Sequence, residues 1–106
     1  MGENRVLGGV GTTLLFENDR VKVWEMSLEP GQESAVHHHQ LDYVMIQVDG
    51  DRMAGVPEPD SAGPYPDYVE GEVSRGNVLT AKSGGIETAR NVGKRPFYEI
   101  IVELKE

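Results

Sequence analysis

Residues 31–50 read GQESAVHHHQLDYVMIQVDG and hold all three histidines of the protein side by side. Glycines bracket the segment, and residues 42–48 form a dense run of β-branched and apolar side chains. Short runs of this kind between turn residues are typical of β-strands. In a strand, side chains two positions apart share a face and adjacent ones point to opposite faces. His37 and His39 are therefore predicted to point the same way, and His38 the other way.

The rest of the chain has the same character: 13 glycines and 6 prolines separate short apolar runs over 106 residues. No apolar pattern holds a helical period over three turns, whereas several segments alternate with a period of two. About eight or nine closely spaced strands and no helix predict an all-β sandwich or closed barrel. We expect a single domain over residues 1–106, with a flexible lead-in at 1–11 and a long proline-rich loop at 57–68. The loop is either a surface excursion or a lid that carries Tyr65 and Tyr68.

Composition narrows the class of protein further. The chain has no cysteine, which excludes a disulfide framework and thiolate metal sites. Its net charge of −8 disfavours nucleic acid as a partner, because an acidic surface repels phosphate. No stretch is apolar enough to span a membrane, and the start lacks the pattern of a secretion signal. We therefore expect a cytoplasmic protein that binds neither nucleic acid nor membranes.

Five basic residues and one acidic residue fall between positions 75 and 95. In one interpretation they lie on solvated outward faces and complement acidic residues of neighbouring strands. In the other they help to receive an anionic substrate. The pattern favours the first interpretation and leaves the second open.

The strongest chemical signal is the pair His37 and His39. Residues two apart in a strand lie roughly 6.5–7 Å apart, and imidazole nitrogens bind divalent metals at about 2.0–2.1 Å. Two rings that lean together can therefore converge on one ion. Asp42 is close to the pair in sequence, but strand alternation points its side chain away from His39 unless a bulge intervenes.

The surrounding spacing resembles the two sequence motifs of the cupin family. The first runs through Gly31, five residues, His37 and His39 around one residue, three residues, Tyr43, six residues and Gly50. The second runs through Gly76, five residues, Lys82-Ser83-Gly84, two residues, Glu87, three residues and Asn91. The resemblance covers residues 21–104 and implies the cupin-type double-stranded β-helix, a jelly-roll barrel.

The chain departs from the cupin pattern at three positions. Tyr43 stands where the pattern has glutamate, Lys82 where it has proline, and Glu87 where it has histidine. The resemblance implies His37, His39 and Glu87 as metal ligands, a set that suits Fe(II) best and also fits Zn, Mn, Ni or Co. Tyr43, as a neutral phenol, would orient a bound water or act as an acid on substrate. We therefore predict catalytic roles for Tyr43 and Glu87.

The resemblance also implies a cavity for a small molecule. We expect its walls to include Trp24, Met26, Met45, Gln47 and Tyr98, although packing in the core is the alternative for each. The predicted activity is that of a metal-dependent enzyme, a dioxygenase, isomerase or lyase, acting on a small oxygen-bearing metabolite. A non-catalytic ligand-binding or metal-binding module remains open, as does a metal-free acid/base enzyme using Glu87 and Tyr43. A homodimer is expected, because residues 42–48 are apolar on both strand faces.

Overall fold

Nine strands form two antiparallel sheets within residues 5–105, the part of the chain that the computed structural model describes. The strands are β1 (Thr13–Glu17), β2 (Val21–Leu28), β3 (His37–His38), β4 (Asp42–Asp49), β5 (Arg52–Pro57), β6 (Val69–Glu72), β7 (Val78–Ala81), β8 (Ile86–Asn91) and β9 (Phe97–Leu104). No helix occurs in this part of the chain, so none there is long and apolar enough to cross a membrane. The all-β prediction is confirmed.

The strands are shared between the two sheets in an interleaved order. One sheet has the order β1-β2-β9-β4-β7 and the other the order β3-β8-β5-β6. From β2 to β5, and again from β6 to β9, each strand lies in the other sheet from the one before it, as in a jelly roll. Gly31, Gly50 and Gly76 adopt φ angles of 84°, 130° and 83°, which residues with a side chain rarely adopt. Three of the glycines that carry the motif spacing therefore stand where the turns between layers need them.

The core lies between the sheets and follows from strand alternation. On β9 every second residue from Phe97 to Glu103 is buried, and on β2 the buried residues are Met26 and Leu28. The apolar ones among them pack with Tyr43 of β4 in one cluster, which contains Met26, Leu28, Phe97 and Ile101. Full burial of each large apolar side chain stabilises the fold by roughly 1.5–3 kcal/mol.

The predicted lead-in at 1–11 begins outside the described residues. From residue 5 onward it lies against the sheets: Gly8 N–H donates to the carbonyl of Val36 at 2.8 Å, and Val10 is buried in the core. Residues 58–68 form the loop between β5 and β6, which has no strand of its own. It is held by the hydrogen bond from Ala62 N–H to the carbonyl of Gly84, at 3.0 Å.

The outer face of the five-stranded sheet is apolar and partly exposed. Val23, Val102 and Val44 occupy adjacent positions across β2, β9 and β4, and Ile100 and Ile46 form the next row. All five are half-buried. A continuous row of this kind is more apolar than the solvated face of an antiparallel sheet usually is.

Candidate metal centre

The His37, His39 and Glu87 side chains arise from one ladder of the four-stranded sheet. His37 of β3 lies directly opposite Glu87 of β8. His39 extends the ladder beyond the strand, since its N–H donates to the carbonyl of Gly85 and its carbonyl accepts from Gly84 N–H, both at 2.7 Å. Directly opposed residues, and residues two apart, share a sheet face. The three side chains therefore project from the same face.

The distances within this trio match a site for one ion. One ligand atom from each residue can be chosen so that all three lie within 4.8 Å of one another. His39 Nε2 and Glu87 Oε2 are 3.3 Å apart. Ligands that share an ion at bond lengths of about 2.1 Å are about 3.0–3.4 Å apart, so only small side-chain movements are needed.

His37 is oriented as a metal-binding histidine is. Its Nδ1 lies 2.9 Å from the carbonyl oxygen of Ala35. Because a carbonyl only accepts, Nδ1 carries the proton and the lone pair stays on Nε2. Burial lowers the pKa of His37. This effect outweighs the Ala35 hydrogen bond and the Glu87 charge, which both raise the pKa. The ring is therefore neutral, the form that binds a cation.

His39 is buried but incompletely paired. Its ring stacks on that of Tyr43, with centroids 3.9 Å apart and planes 12° apart. Its Nδ1 has no hydrogen-bond partner among residues 5–105. A buried nitrogen without a partner costs about 1–3 kcal/mol, so packing alone does not account for a histidine at this position.

Glu87 supplies the negative charge of the site. Burial raises the pKa of Glu87, but the hydrogen bond from His39 and the electrostatic effect of the two imidazoles outweigh it, and the net pKa lies below its usual value. Gly85 leaves room beside this carboxylate: a Cβ at position 85 would lie 3.2 Å from Glu87 Oε1 and 3.8 Å from His39 Cδ2. Two imidazoles and one carboxylate with open space beside them fit a divalent transition metal.

Tyr43 occupies the position of the fourth cupin ligand, but as a phenol. Its side chain is buried on the cavity side of His39. Burial raises the pKa of Tyr43 well above its usual range, and the Glu87 charge adds to this. The hydroxyl is therefore protonated at neutral pH, so it is a hydrogen-bonding group rather than a charged ligand.

A cavity of about 270 Å³ adjoins the trio, and Glu87 and Tyr43 both line it. Of the five predicted pocket residues, Met45 is the one that lines this cavity. Met26 packs in the core cluster instead. Trp24 lies at another part of the interior, where its Nε1–H donates to Glu103 Oε1 at 2.8 Å.

Gln47 and Tyr98 also lie away from the cavity, for different reasons. Gln47 is buried, but its Oε1 accepts hydrogen bonds from Ser74 N–H and Asn77 Nδ2, both at 3.2 Å, and so holds the turn before β7. Tyr98 is on the outer face of β9, where its hydroxyl donates to Glu25 at 2.6 Å. The expected pocket roles of Trp24, Met26, Gln47 and Tyr98 are therefore corrected to packing and hydrogen bonding.

Several residues that line the cavity were not predicted as pocket walls, among them Glu99 and Tyr65. Glu99, on the inner face of β9, is only 5% exposed and lines the cavity opposite the metal trio's sheet. Burial, together with the charge of Glu87, raises the pKa of Glu99 to about 8. Tyr65 reaches the cavity from the long loop, whereas Tyr68 is exposed and donates to Glu70 at 2.6 Å. Of the two loop tyrosines considered for a lid, only Tyr65 meets the cavity.

Solved structures with the same fold support the architecture. A cupin domain from Bordetella pertussis Tohama I is 25% identical, with a TM-score of 0.75 over 95% of this chain and 98% of that one. An RmlC-like cupin from Methanocaldococcus jannaschii is 13% identical, with a TM-score of 0.64 over 92% of this chain and 93% of that one. The polyketide cyclase RemF from Streptomyces resistomycificus is 16% identical, with a TM-score of 0.59 over 84% of this chain and 57% of that one.

No protein-family model matches the sequence, and no curated protein matches it significantly. The likeness is therefore carried by the structure: the interleaved sheets, the motif glycines at the turns and the length over which the Bordetella protein superposes. The cupin resemblance seen in the motif spacing is confirmed, and the chain belongs to the cupin superfamily with its double-stranded β-helix fold.

Proposed function

We propose that this protein is a metal-dependent enzyme that acts on a small oxygen-bearing organic molecule, with His37, His39 and Glu87 as the metal ligands. The observation that carries the proposal is the placement of these three groups on one sheet face, within 4.8 Å, beside a cavity. Fe(II) is the preferred ion for two imidazoles and a carboxylate, and Zn, Mn, Ni or Co are the alternatives. Such an ion would supply Lewis-acid or oxygen-activating chemistry.

The protein's own residues prepare this site in three ways. The Ala35 carbonyl holds the His37 ring with its lone pair free. The Tyr43 ring packs against His39 and keeps solvent from that side. Glu87 and Tyr43 both line the cavity. There the Glu87 carboxylate can accept a proton from substrate, and the Tyr43 hydroxyl can donate one to a substrate oxygen. A dioxygenase, isomerase, lyase or cyclase reaction fits these roles, and RemF is a cyclase with the same fold.

A second candidate is a metal-free acid/base enzyme. It is favoured by the direct contact of 3.3 Å between His39 Nε2 and Glu87 Oε2, which would form a proton-transferring pair beside Tyr43.

Elemental analysis of protein purified without a histidine tag separates the two candidates. About one equivalent of metal that resists dialysis supports the metal-dependent enzyme. Oxygen uptake and product formation with small diketones and phenols then test turnover. Turnover that persists after chelation supports the metal-free enzyme, and bound metal without turnover on this panel would instead favour a binding module.

A further inference from the structure

The chemistry of the cavity walls limits what the proposed site can bind. Side chains that line the cavity away from the metal trio are mostly apolar, among them Met45, Met53, Val69, Leu79 and Phe97. Ligand pockets in proteins start at about 300 Å³, so a cavity of about 270 Å³ suits a molecule of roughly one ring. Apolar walls of this kind bind a ring or a short hydrocarbon frame.

The charged groups around the cavity are all acidic. Glu87 and Glu99 lie in its interior lining, and Asp67 and Glu70 come from the chain leading into and along β6. Among the described residues that line it there is no lysine or arginine. A ligand with a free carboxylate or phosphate would therefore find no positive side chain and would approach several carboxylates.

The basic stretch between residues 75 and 95 does not change this balance. Arg90 pairs with Glu33 at 3.0 Å, Arg95 with Asp49 at 3.1 Å, and Lys82 lies 3.7 Å from Asp42. None of these three basic residues lines the cavity. An anionic substrate in this cavity would therefore not meet these basic residues.

Glu99 is a buried polar residue among the mostly apolar walls of the cavity. It is 5% exposed, and its opposed neighbours on β2 and β4 are Met26 and Gln47. Gln47 directs its amide oxygen to Ser74 and Asn77 rather than to Glu99. Within residues 5–105 no hydrogen bond involves the Glu99 carboxyl, and burial and the Glu87 charge are the causes of its raised pKa. Its oxygens are not fully enclosed: they open onto the cavity, where a ligand atom can pair with them.

We propose that the cavity binds an uncharged, single-ring molecule with a carbonyl, amide or hydroxyl group, and that Glu99 determines this specificity by hydrogen-bonding that group. The proposal rests on the proposed function only in placing substrate in this cavity. Glu99 donates to a ligand oxygen when it is protonated and accepts from a ligand O–H or N–H when it is ionised, so it can make the contact in either form.

Benzamide and benzoate are matched probes, because they have nearly the same shape and differ in charge. Binding is measured by titrating each into ¹⁵N-labelled protein and following amide chemical shifts. We expect benzamide to bind at least about tenfold more tightly than benzoate, because the negative charge of benzoate would lie among carboxylates in a cavity whose described lining has no lysine or arginine. Equal affinities, tighter binding of benzoate, or no binding of either probe at millimolar concentration would overturn the proposal.

Two variants test the role of Glu99 itself. Glu99→Leu removes the hydrogen-bonding group and should weaken benzamide binding about tenfold while leaving binding of toluene unchanged or tighter. Glu99→Gln keeps a group that donates and accepts, so it should retain benzamide binding within about threefold. Unchanged benzamide binding in Glu99→Leu would contradict the proposal, and a folded Glu99→Gln protein keeps the test valid if the leucine variant does not fold.

The same titrations on His37→Ala distinguish this inference from the proposed function. If the variant and the wild type both lack metal but still prefer benzamide, the metal-dependent function fails and the inference stands. If the wild type binds metal but prefers benzoate, the inference fails and the metal-dependent function stands.

Discussion

His37 lies directly across the β3–β8 ladder from Glu87, in the same sheet. The carboxylate that accompanies the two histidines thus comes from the neighbouring antiparallel strand rather than from across the barrel. Cross-strand partners of this kind have Cβ atoms about 4.5–5.5 Å apart, so backbone pairing itself holds the imidazole and the carboxylate together. Substitutions in this ladder should therefore change metal affinity and the stability of the fold to different degrees.

The two inward histidines and the outward one should differ sharply in metal retention. His37→Ala and His39→Ala are each expected to reduce bound metal from about one equivalent to below about a tenth. His38→Ala is the matched control, because alternation places its side chain on the opposite face. Elemental analysis after dialysis measures the effect, and equal losses from all three variants would contradict the shared face.

Gly85→Ala should weaken metal binding while leaving the fold intact. The added Cβ would lie 3.2 Å from Glu87 Oε1, which forces the carboxylate to shift, and small shifts of a ligand lower metal affinity by roughly 10–100-fold. Gly71→Ala is the control, since a Cβ there meets nothing within 4 Å. Competition with a chelator measures the affinity. A Gly85→Ala protein that matches the control would mean that Glu87 is not a ligand.

Stability should depend on pH through Glu99. Its pKa rises from 4.5 to about 8 on folding, because the side chain is buried and the Glu87 carboxylate of β8 adds its negative charge. The folded state then binds the proton more tightly than the unfolded state. The resulting stability is fully present below the unfolded pKa of 4.5 and is lost as pH rises through about 8.

Glu99→Gln cannot ionise and should escape this loss. The melting temperature of Glu99→Gln minus that of the wild type should be greater near pH 9 than near pH 5, by at least about 4–8 °C. This increase corresponds to about 1 kcal/mol in a domain of this size. Circular dichroism melts with chelator in both samples provide the measurement. The same offset at both pH values would show that Glu99 is ionised in the folded protein throughout.

The outer face of the five-stranded sheet should mediate a homodimer. Val44, Val102 and Val23 form a half-buried apolar row, and a two-fold axis would let this row pack on its own copy. Light scattering at micromolar concentration should give twice the monomer mass, and Val102→Glu should give the monomer. Thr80→Glu, at the edge of the same row, is the control and should disrupt the dimer less than Val102→Glu does. A monomeric wild type would reject the dimer.

Local sequence accounts for most of the fold. Turn glycines and alternating strands predict about eight or nine strands, and residues 5–105 contain nine. The motif spacing from Gly31 to Asn91 predicts the cupin architecture. The shared direction of His37 and His39 likewise follows from alternation alone. Regular pairing in β3 covers only His37–His38, and His39 continues the ladder through hydrogen bonds to the Gly84 and Gly85 backbone.

The sequence by itself determined the two faces of each strand, and only the tertiary structure decided which face is inside. β9 shows this. One face carries Tyr98, Ile100, Val102 and Leu104, and the other carries Phe97, Glu99, Ile101 and Glu103, so apolar content favours the first face as the inner one. The structure instead buries the second face, because that is the side of the sheet that packs against the four-stranded sheet. Alternation assigns side chains to two faces of a strand but does not indicate which face is buried. Burial depends on which neighbours the whole chain brings against each face.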